Sequence, residues 1–334
     1  MPPPRVSIVI PCLNEARRLA ALLDRLAGQD QHGSEILVVD GGSEDGSQEV
    51  VLRWAAAHRD VRLRLLQNPG RHIPHALNLG IASAQGDVIL RMDGHALPAR
   101  DYVRQCLGVL AESGASVVGG GWTVRPGAST PAARAVALAV SSPLGAGDAR
   151  YRLAGDTQPG EVETVPFGCF RRETWTRAEG YNENLLTNED YEFNLRVRAQ
   201  GGRVYFDPRI RSEYFAQPTL AGLAAQYWRY GWWKAQMLKR HPRSLRLRQA
   251  LPLAWSLGGL ALLPLALFGW IFAALTLAAW GVYLAVVALT ARNLAERAGE
   301  RGLWPSLVAA FVLIHFAWGW GAWSGLVRRG VRAA

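Results

Sequence analysis

The sequence predicts an α/β domain followed by membrane-spanning helices. Short β-branched runs alternate with helical patterns over about the first 240 residues, several runs end in a carboxylate, and residues 251–290 hold no charged side chain. Strands alternating with helices of about a dozen residues imply βαβ units and a mostly parallel sheet. Ligands of such open sheets sit beyond the carboxyl ends of the strands.

Taken in order, Val6-Ser-Ile-Val-Ile10 is a first strand ending at Pro11, and Asn14-Glu15 open a helix. Leu19, Leu22, Leu23 and Leu26 give that helix an apolar stripe at 3- and 4-residue spacing. Glu35 to Asp40 is a second strand, and Gly41-Gly-Ser-Glu-Asp-Gly-Ser47 a turn whose glycines allow close backbone approach. A helix over Gln48–Ala57, a strand over Val61–Gln67 and a helix over His75–Ala84 follow. Beyond the next strand come a helix over Tyr102–Glu112 and a strand over Ser116–Gly120. The Ala/Gly/Pro/Ser-rich stretch 125–161 reads as flexible loops. Thr187-Asn-Glu-Asp190 opens a helix with Asn188 at its N-cap, and Gly201–Asp207 is a final strand.

The stretch Val88-Ile-Leu-Arg-Met-Asp-Gly-His95 stands at the centre of this order. A buried strand stops at Asp93, and Gly94 and His95 lead into a turn containing Pro98. A carboxylate with an imidazole two residues on suits a divalent cation that can hold a diphosphate; the other reading is a turn aspartate capping the following helix. Glu189 and Asp190 would sit at a helix N-terminus, where the dipole stabilises negative charge, or form a simple cap. No GxGxxG follows the first strand and no GxxxxGK[ST] occurs, which weighs against dinucleotide and P-loop sites.

Net charge is +10, with 37 Lys and Arg against 27 Asp and Glu. The cations Lys234, Lys239, Arg240, Arg243, Arg246 and Arg248 precede the apolar tail, favouring an anionic membrane surface over nucleic acid. Cys12, Cys106 and Cys169 have no metal-ligand spacing and read as reduced cytosolic residues. The Met-Pro-Pro-Pro-Arg start leads straight into a strand and does not resemble a signal peptide. The aromatic helix at about 219–245, containing Gln226-Tyr-Trp-Arg-Tyr230, suits a membrane interface or a phosphate contact through Arg229.

Three spans are expected, at about 251–269, 271–290 and 303–327, with a tight turn near Phe268-Gly269-Trp270 and a charged loop over Ala291–Gly302. Arg328, Arg329 and Arg332 close the third run. Three spans from a cytoplasmic domain would put those arginines outside, against the positive-inside rule, unless one run is re-entrant.

With Val6-Ser-Ile-Val-Ile-Pro-Cys-Leu-Asn-Glu15, Val38-Val-Asp-Gly-Gly-Ser43, Asp93-Gly-His95 and Asn188-Glu-Asp190 in order, residues 5 to 245 resemble family 2 glycosyltransferases. Pro69-Gly-Arg-His-Ile-Pro-His-Ala-Leu-Asn-Leu-Gly80 and Thr164-Val-Pro-Phe-Gly168 bring the chain nearest to bacterial succinoglycan-type exopolysaccharide glucosyltransferases. The resemblance implies a GT-A, Rossmann-like nucleotide-diphospho-sugar transferase domain over 1–245, with transmembrane helices over 250–328. It implies that Pro11, Glu15 and Asp40 hold the nucleoside with help from Arg71, and that Arg229 contacts the donor. Asp93, with His95, would hold Mn2+ or Mg2+, and Asp190, with Glu189 beside it, would be the general base. His95 replaces the second Asp of Asp-x-Asp, Gly41 replaces a second Asp in many relatives, and Tyr230 replaces the Trp of Gln-x-x-Arg-Trp.

The implied function is inverting transfer of a hexose, with glucose favoured, from a UDP-sugar to a polyprenyl-diphosphate-linked saccharide in exopolysaccharide synthesis. The expected setting is the inner membrane, multi-pass, with the catalytic domain cytoplasmic. Two alternatives are a polyprenyl-phosphate glycosyltransferase and a nucleotide-binding transport or assembly component without turnover. Nucleic acid is not an expected partner, because no recognition motif accompanies the charge.

Overall fold

The computed structural model describes residues 5–29, 34–153 and 158–328. Arg329 and Arg332 lie outside them. The chain divides into two compact units, Met1–Thr123 with Gly155–Tyr214, and Val124–Ala154 with Phe215–Ala334. The aromatic helix therefore groups with the apolar helices rather than with a 1–245 domain.

In the first unit, β1 (Val6–Cys12), β2 (Glu35–Asp40), β3 (Arg62–Gln67) and β4 (Val88–Arg91) are parallel, in the order β3-β2-β1-β4. The connecting helices are α1 (Ala16–Ala27), α2 (Ser47–Ala57) and α3 (Ile73–Ser83). Strands β1, β2 and β4 are buried along their whole length, as apolar runs covered on both faces must be. The α1 stripe Leu19, Leu22, Leu23 and Leu26 packs into one core with Ile8, Ile10, Val38 and Leu90. Truncating one such leucine to alanine costs about 2–5 kcal/mol.

The second half of the sheet corrects the expectation of a mostly parallel one. β8 (Cys169–Arg171) pairs antiparallel with both β4 and β6 (Val117–Arg125). β9 (Val204–Phe215) takes β5 (Leu97–Pro98) and β7 (Gly160–Glu161) as antiparallel partners. Pro98 is thus a strand residue opposite Ser212, not part of a free turn. Its ring sacrifices no needed donor, because Ala99 N supplies the bond to Arg211 O (2.9 Å). Helices α4 (Tyr102–Ser113), α7 (Arg172–Arg177) and α8 (Glu189–Ala199) complete the unit.

The second unit begins where loops were expected. Thr130 caps α5 (Pro131–Val140) by accepting from Ala133 N (3.2 Å), with Pro131 in the first turn, and α6 (Pro143–Ala146) follows. Burial of Ala133, Ala135, Val136, Ala137 and Ala139 removes the polar face that periodicity would have revealed. The aromatic segment is α9 (Leu220–Arg240). Next come α10 (Leu247–Leu265), α11 (Trp270–Arg297) and α12 (Trp304–Val327). Three helical stretches, Leu247–Phe268, Trp270–Arg297 and Arg301–Val327, are long and apolar enough to cross a membrane. The charged stretch after Ala291 is the end of α11 rather than a loop, with Arg292 and Glu296 paired at 3.1 Å.

Candidate active site at the carboxyl edge of the sheet

The loops leaving β1 and β2 are clasped together. Asn14, at φ 58°, donates its N–H to Ser43 Oγ (2.8 Å) and its side chain accepts from Glu44 N (2.9 Å). Glu15 N donates to Ser47 Oγ (2.8 Å) and Ala16 N to the Asp45 carboxylate (3.0 Å). Pro11 is buried in β1 beside Val39 of β2. Asp40 is buried, and its carboxylate is filled from its own loop and the first turn of α2. It accepts from Gly42 N (2.9 Å), Ser43 N (3.0 Å), Ser43 Oγ (2.5 Å) and Gln48 Nε2 (2.7 Å). Arg71 is exposed on the loop before α3, at φ 60°. A Cβ at position 41 would stand 2.5 Å from Arg71 O, which is why this chain has glycine there.

At the end of β4, Gly94 packs on the Glu15 side chain, where an added Cβ would meet Cγ at 3.0 Å. His95 Nδ1 lies 2.9 Å from Glu15 Oε1. Burial favours the neutral ring, but the Glu15 hydrogen bond and the Asp93 charge together raise its pKa above the ordinary value. Asp93 accepts from Arg91 Nε at Oδ1 (2.9 Å) and from Arg91 Nη2 at Oδ2 (3.3 Å).

Arg91 is the residue that sequence reasoning missed. It is buried in β4, and Nη2 also reaches Glu189 Oε1 at 2.7 Å. One guanidinium therefore joins the Asp93 element to the first turn of α8. Burial opposes its charge, yet Asp93, Glu189 and Asp190 hold its pKa well above the usual arginine value. Burial likewise pushes the Glu189 carboxyl up to about 7, against the pull of Arg91. Arg91 Nη1 is buried without a hydrogen-bond partner among the described residues. The signal was an arginine inside an otherwise apolar strand, since a buried charge demands partners.

Asp190 is half-buried in the same first turn, and its Oδ1 accepts from Tyr191 N (2.7 Å). Asn188 does occupy the N-cap, in the left-handed region, without a side-chain cap hydrogen bond. A second missed residue, Asn78 of α3, fixes the loop before α8. Its Nδ2 donates to Tyr181 O (2.8 Å) and Glu183 Oε1 (2.9 Å), and its Oδ1 accepts from Tyr181 N (2.8 Å). The structure thus pairs Glu15 with His95 and joins Asp93 to Glu189 through Arg91, with Asp190 following Glu189 in the first turn of α8; Pro11 and Asp40 lie at the ends of β1 and β2, and Arg71 lies on the loop before α3. Arg229 belongs to the second unit, exposed on α9.

Asp93, whose two oxygens accept from Arg91, and His95 are the side chains here that could take part in holding a divalent ion. A neutral His95 donating from Nδ1 to Glu15 would present its Nε2 lone pair, the arrangement that orients metal-ligating imidazoles. One carboxylate and one imidazole suit Mn2+ better than Mg2+. Among the described residues, no group of three or more His, Cys, Asp and Glu side chains forms a cage, so further ligands would have to come from the donor or water.

The family model described as glycosyl transferase family 2 matches residues 7–171. The succinoglycan biosynthesis protein ExoA of Rhizobium meliloti (strain 1021) is 31% identical over 332 residues, covering 96% of this chain and 94% of that protein. The chain is a family 2 glycosyltransferase. This transferase is also 25% identical to a dolichyl N-acetyl-alpha-D-glucosaminyl phosphate 3-beta-D-2,3-diacetamido-2,3-dideoxy-beta-D-glucuronosyltransferase of Methanococcus voltae, over 70% of its length and 74% of that protein. An undecaprenyl-phosphate 4-deoxy-4-formamido-L-arabinose transferase of Pseudomonas syringae pv. syringae is 38% identical over 34% of each chain. Among solved structures, the mannosyltransferase PcManGT from Pyrobaculum calidifontis, in complex with GDP-Man and Mn2+, superposes with a TM-score of 0.59. That match is at 23% identity over 93% of the transferase and 87% of that chain, and it supports the GT-A fold.

Proposed function

We propose that the transferase moves a hexosyl group, with glucose favoured, from a UDP-sugar to a polyprenyl-diphosphate-linked saccharide, inverting the anomeric centre. The setting we assign is the cytoplasmic face of the inner membrane. The observation that carries this reading is Arg91, whose one guanidinium ties the diphosphate-side Asp93 to the helix bearing Asp190.

In the reaction, the acceptor hydroxyl oxygen attacks the anomeric carbon as the bond to the diphosphate oxygen breaks. Its electron pair leaves with the nucleoside diphosphate, and Asp190 takes the hydroxyl proton. Base assistance of this kind is worth about 10²–10⁴ in rate. Asp93 and His95 would hold the divalent ion, which, when bound, neutralises charge on the leaving diphosphate. Glu15 then orients His95, and Glu189 positions Arg91 rather than touching substrate. Pro11, Asp40 and Arg71 form the nucleoside end, Asp40 by shaping its loop. Arg229 is the remaining candidate for a donor phosphate. A single displacement with no enzyme nucleophile gives inversion.

Supporting the acceptor class are the ExoA likeness and the apolar helices. A polyprenyl monophosphate acceptor is the second reading, favoured by the likeness to the undecaprenyl-phosphate transferase. The test uses purified full-length protein in detergent, Mn2+ or Mg2+, a panel of nucleotide sugars, and either lipid-linked saccharide or polyprenyl phosphate. Release of nucleoside diphosphate only with the saccharide supports the first reading, and release with the monophosphate supports the second. Tight nucleotide binding without release under any acceptor would favour a non-enzymatic assembly component.

A further inference from the structure

We infer that only the α10–α11 hairpin enters the bilayer, and that α12 stays out of it, held along α9. Both ends of the apolar region then lie on the same side of the membrane.

The three apolar helices are not alike. α12 buries 44% of its apolar window, against 11% for each of the other two stretches. Much of what covers α12 is α9, in backbone contact. A Cβ on Gly231 would stand 2.0 Å from Trp318 O, one on Gly321 would stand 2.0 Å from Trp228 O, and one on Gly325 would stand 2.6 Å from Trp232 O. The contacts run in the same sense along both helices. Farther on, Gln236 Nε2 donates to Gly325 O (2.8 Å), and Lys239 Nζ donates to Gly325 O (2.7 Å) and Arg328 O (2.6 Å). A lysine on terminal carbonyls is a C-terminal cap, which satisfies the end of α12 by protein rather than by water across a membrane.

α9 cannot follow α12 into hydrocarbon. Arg229, Lys239 and Arg240 are exposed on it, and Lys234 is buried with Ser244 O as acceptor (2.9 Å). Cations at the bilayer centre strongly oppose insertion. The rest of α12 is tied in the same way. Glu300, just before it, pairs with Arg134 of α5 at 2.8 Å, and His315 Nε2 lies 3.0 Å from Leu144 O of α6. The start, middle and end of the helix are therefore each tied to short or charged elements that do not cross a membrane, while Trp304, His315 and Trp323 also bond to Ala288, Tyr283 and Leu253 of the hairpin.

The hairpin has the opposite character. Trp280 Nε1 donates to Gly259 O (2.9 Å) and Thr276 Oγ1 to Leu262 O (2.9 Å), which fixes α10 and α11 as antiparallel neighbours. Around the turn, Leu267, Phe268, Trp270 and Ile271 are 87%, 77%, 80% and 53% exposed among the described residues, an apolar tip that lipid would cover. The cations sit at the other end, Arg246 at the N-cap and Arg248 in the first turn of α10, and Arg292 and Arg297 in the last turns of α11. A hairpin with two basic ends and a charge-free tip inserts from one face. This also returns Arg328 to the basic side, removing the conflict that three crossings create.

The test is independent of catalysis. Variants with one added cysteine, Arg104→Cys on α4, Val327→Cys at the end of α12 and Trp270→Cys at the tip, are labelled with a membrane-impermeant maleimide. Sealed vesicles of each orientation are used; the native Cys12, Cys106 and Cys169 are buried. We expect Val327→Cys and Arg104→Cys to label from the same side, with at least a tenfold preference over the other. Trp270→Cys should resist labelling from that side. Labelling of Val327→Cys from the opposite side, or of Trp270→Cys from the Arg104 side, overturns the inference. Should position 327 label from neither side, fusions of alkaline phosphatase and of a fluorescent protein to the C-terminus decide. Phosphatase activity in cells whose Arg104→Cys labels only from the cytoplasm contradicts it, and fluorescence without phosphatase activity supports it.

Discussion

Replacing Arg91 with methionine removes the counter-charge of two carboxylates and leaves them buried. The side chains of Asp93 and Glu189 are only 14% and 7% exposed, and Arg91 contacts both. Removing one partner of a buried ion pair costs about 3–5 kcal/mol, because the other charge is stranded. For a unit of this size that is a fall of roughly 6–20 °C in Tm. Arg91→Lys should recover little, since a point ammonium cannot replace a fork that serves two carboxylates. The decisive variant is the double substitution Arg91→Met with Glu189→Gln. With one stranded charge removed, it should be more stable than the sum of the singles predicts, by roughly 1–3 kcal/mol. The assay is thermal unfolding of the detergent-solubilised protein, with each single and the double measured side by side. A single Arg91→Met within about 0.5 kcal/mol of the parent, the range of an ordinary surface change, would refute the reasoning, as would strict additivity in the double.

Three further outcomes follow from the same geometry. Glu15→Ala should weaken Mn2+ binding by about 10–100-fold through loss of His95 orientation, measured by metal titration, whereas unchanged affinity would detach Glu15 from that role. Glu189 titrates in the folded state near 7, above its ordinary value of 4.5. Its contribution to stability is therefore full below about pH 4.5 and is lost as pH rises through 7, about 3 kcal/mol in all. Unfolding of the metal-free protein between pH 5 and 8 should show that slope and Glu189→Gln should flatten it; parallel curves for the two would count against the burial argument. Gly41→Ala places a Cβ 2.5 Å from Arg71 O and should lower Tm and nucleotide affinity together, costing about 1–3 kcal/mol, while a neutral result would mean the Arg71 loop yields freely.

The parallel half of the sheet was legible because β1, β2 and β4 are apolar runs, β3 alternates Arg and Leu, and the α1 leucines repeat at helical spacing. The antiparallel half was less so. β8 has three residues, and β5 has two including Pro98, too short for any pattern to register. α5 escaped notice because burial of its small residues erased the amphipathic contrast. Within the site, the order of Glu15, Asp93, His95 and Asp190 could be read from motifs, but their contacts could not. Nothing in spacing shows that Glu15 meets His95 across 80 positions. Nor does spacing show that Arg91 reaches Glu189. Asp40 illustrates the reverse, a residue conspicuous in sequence whose carboxylate is occupied by its own turn.

The measurement closest to the central claim compares nucleotide binding with turnover in Asp93→Asn and Asp190→Asn. Calorimetric titration with UDP and Mn2+ is set beside nucleoside diphosphate release in the presence of donor and lipid acceptor. Asp93→Asn should lose metal-dependent binding and turnover together. Asp190→Asn should keep binding near the parent value and lose turnover by about 10²–10⁴. Near-normal turnover in Asp190→Asn, or undiminished metal-dependent binding in Asp93→Asn, would contradict that claim.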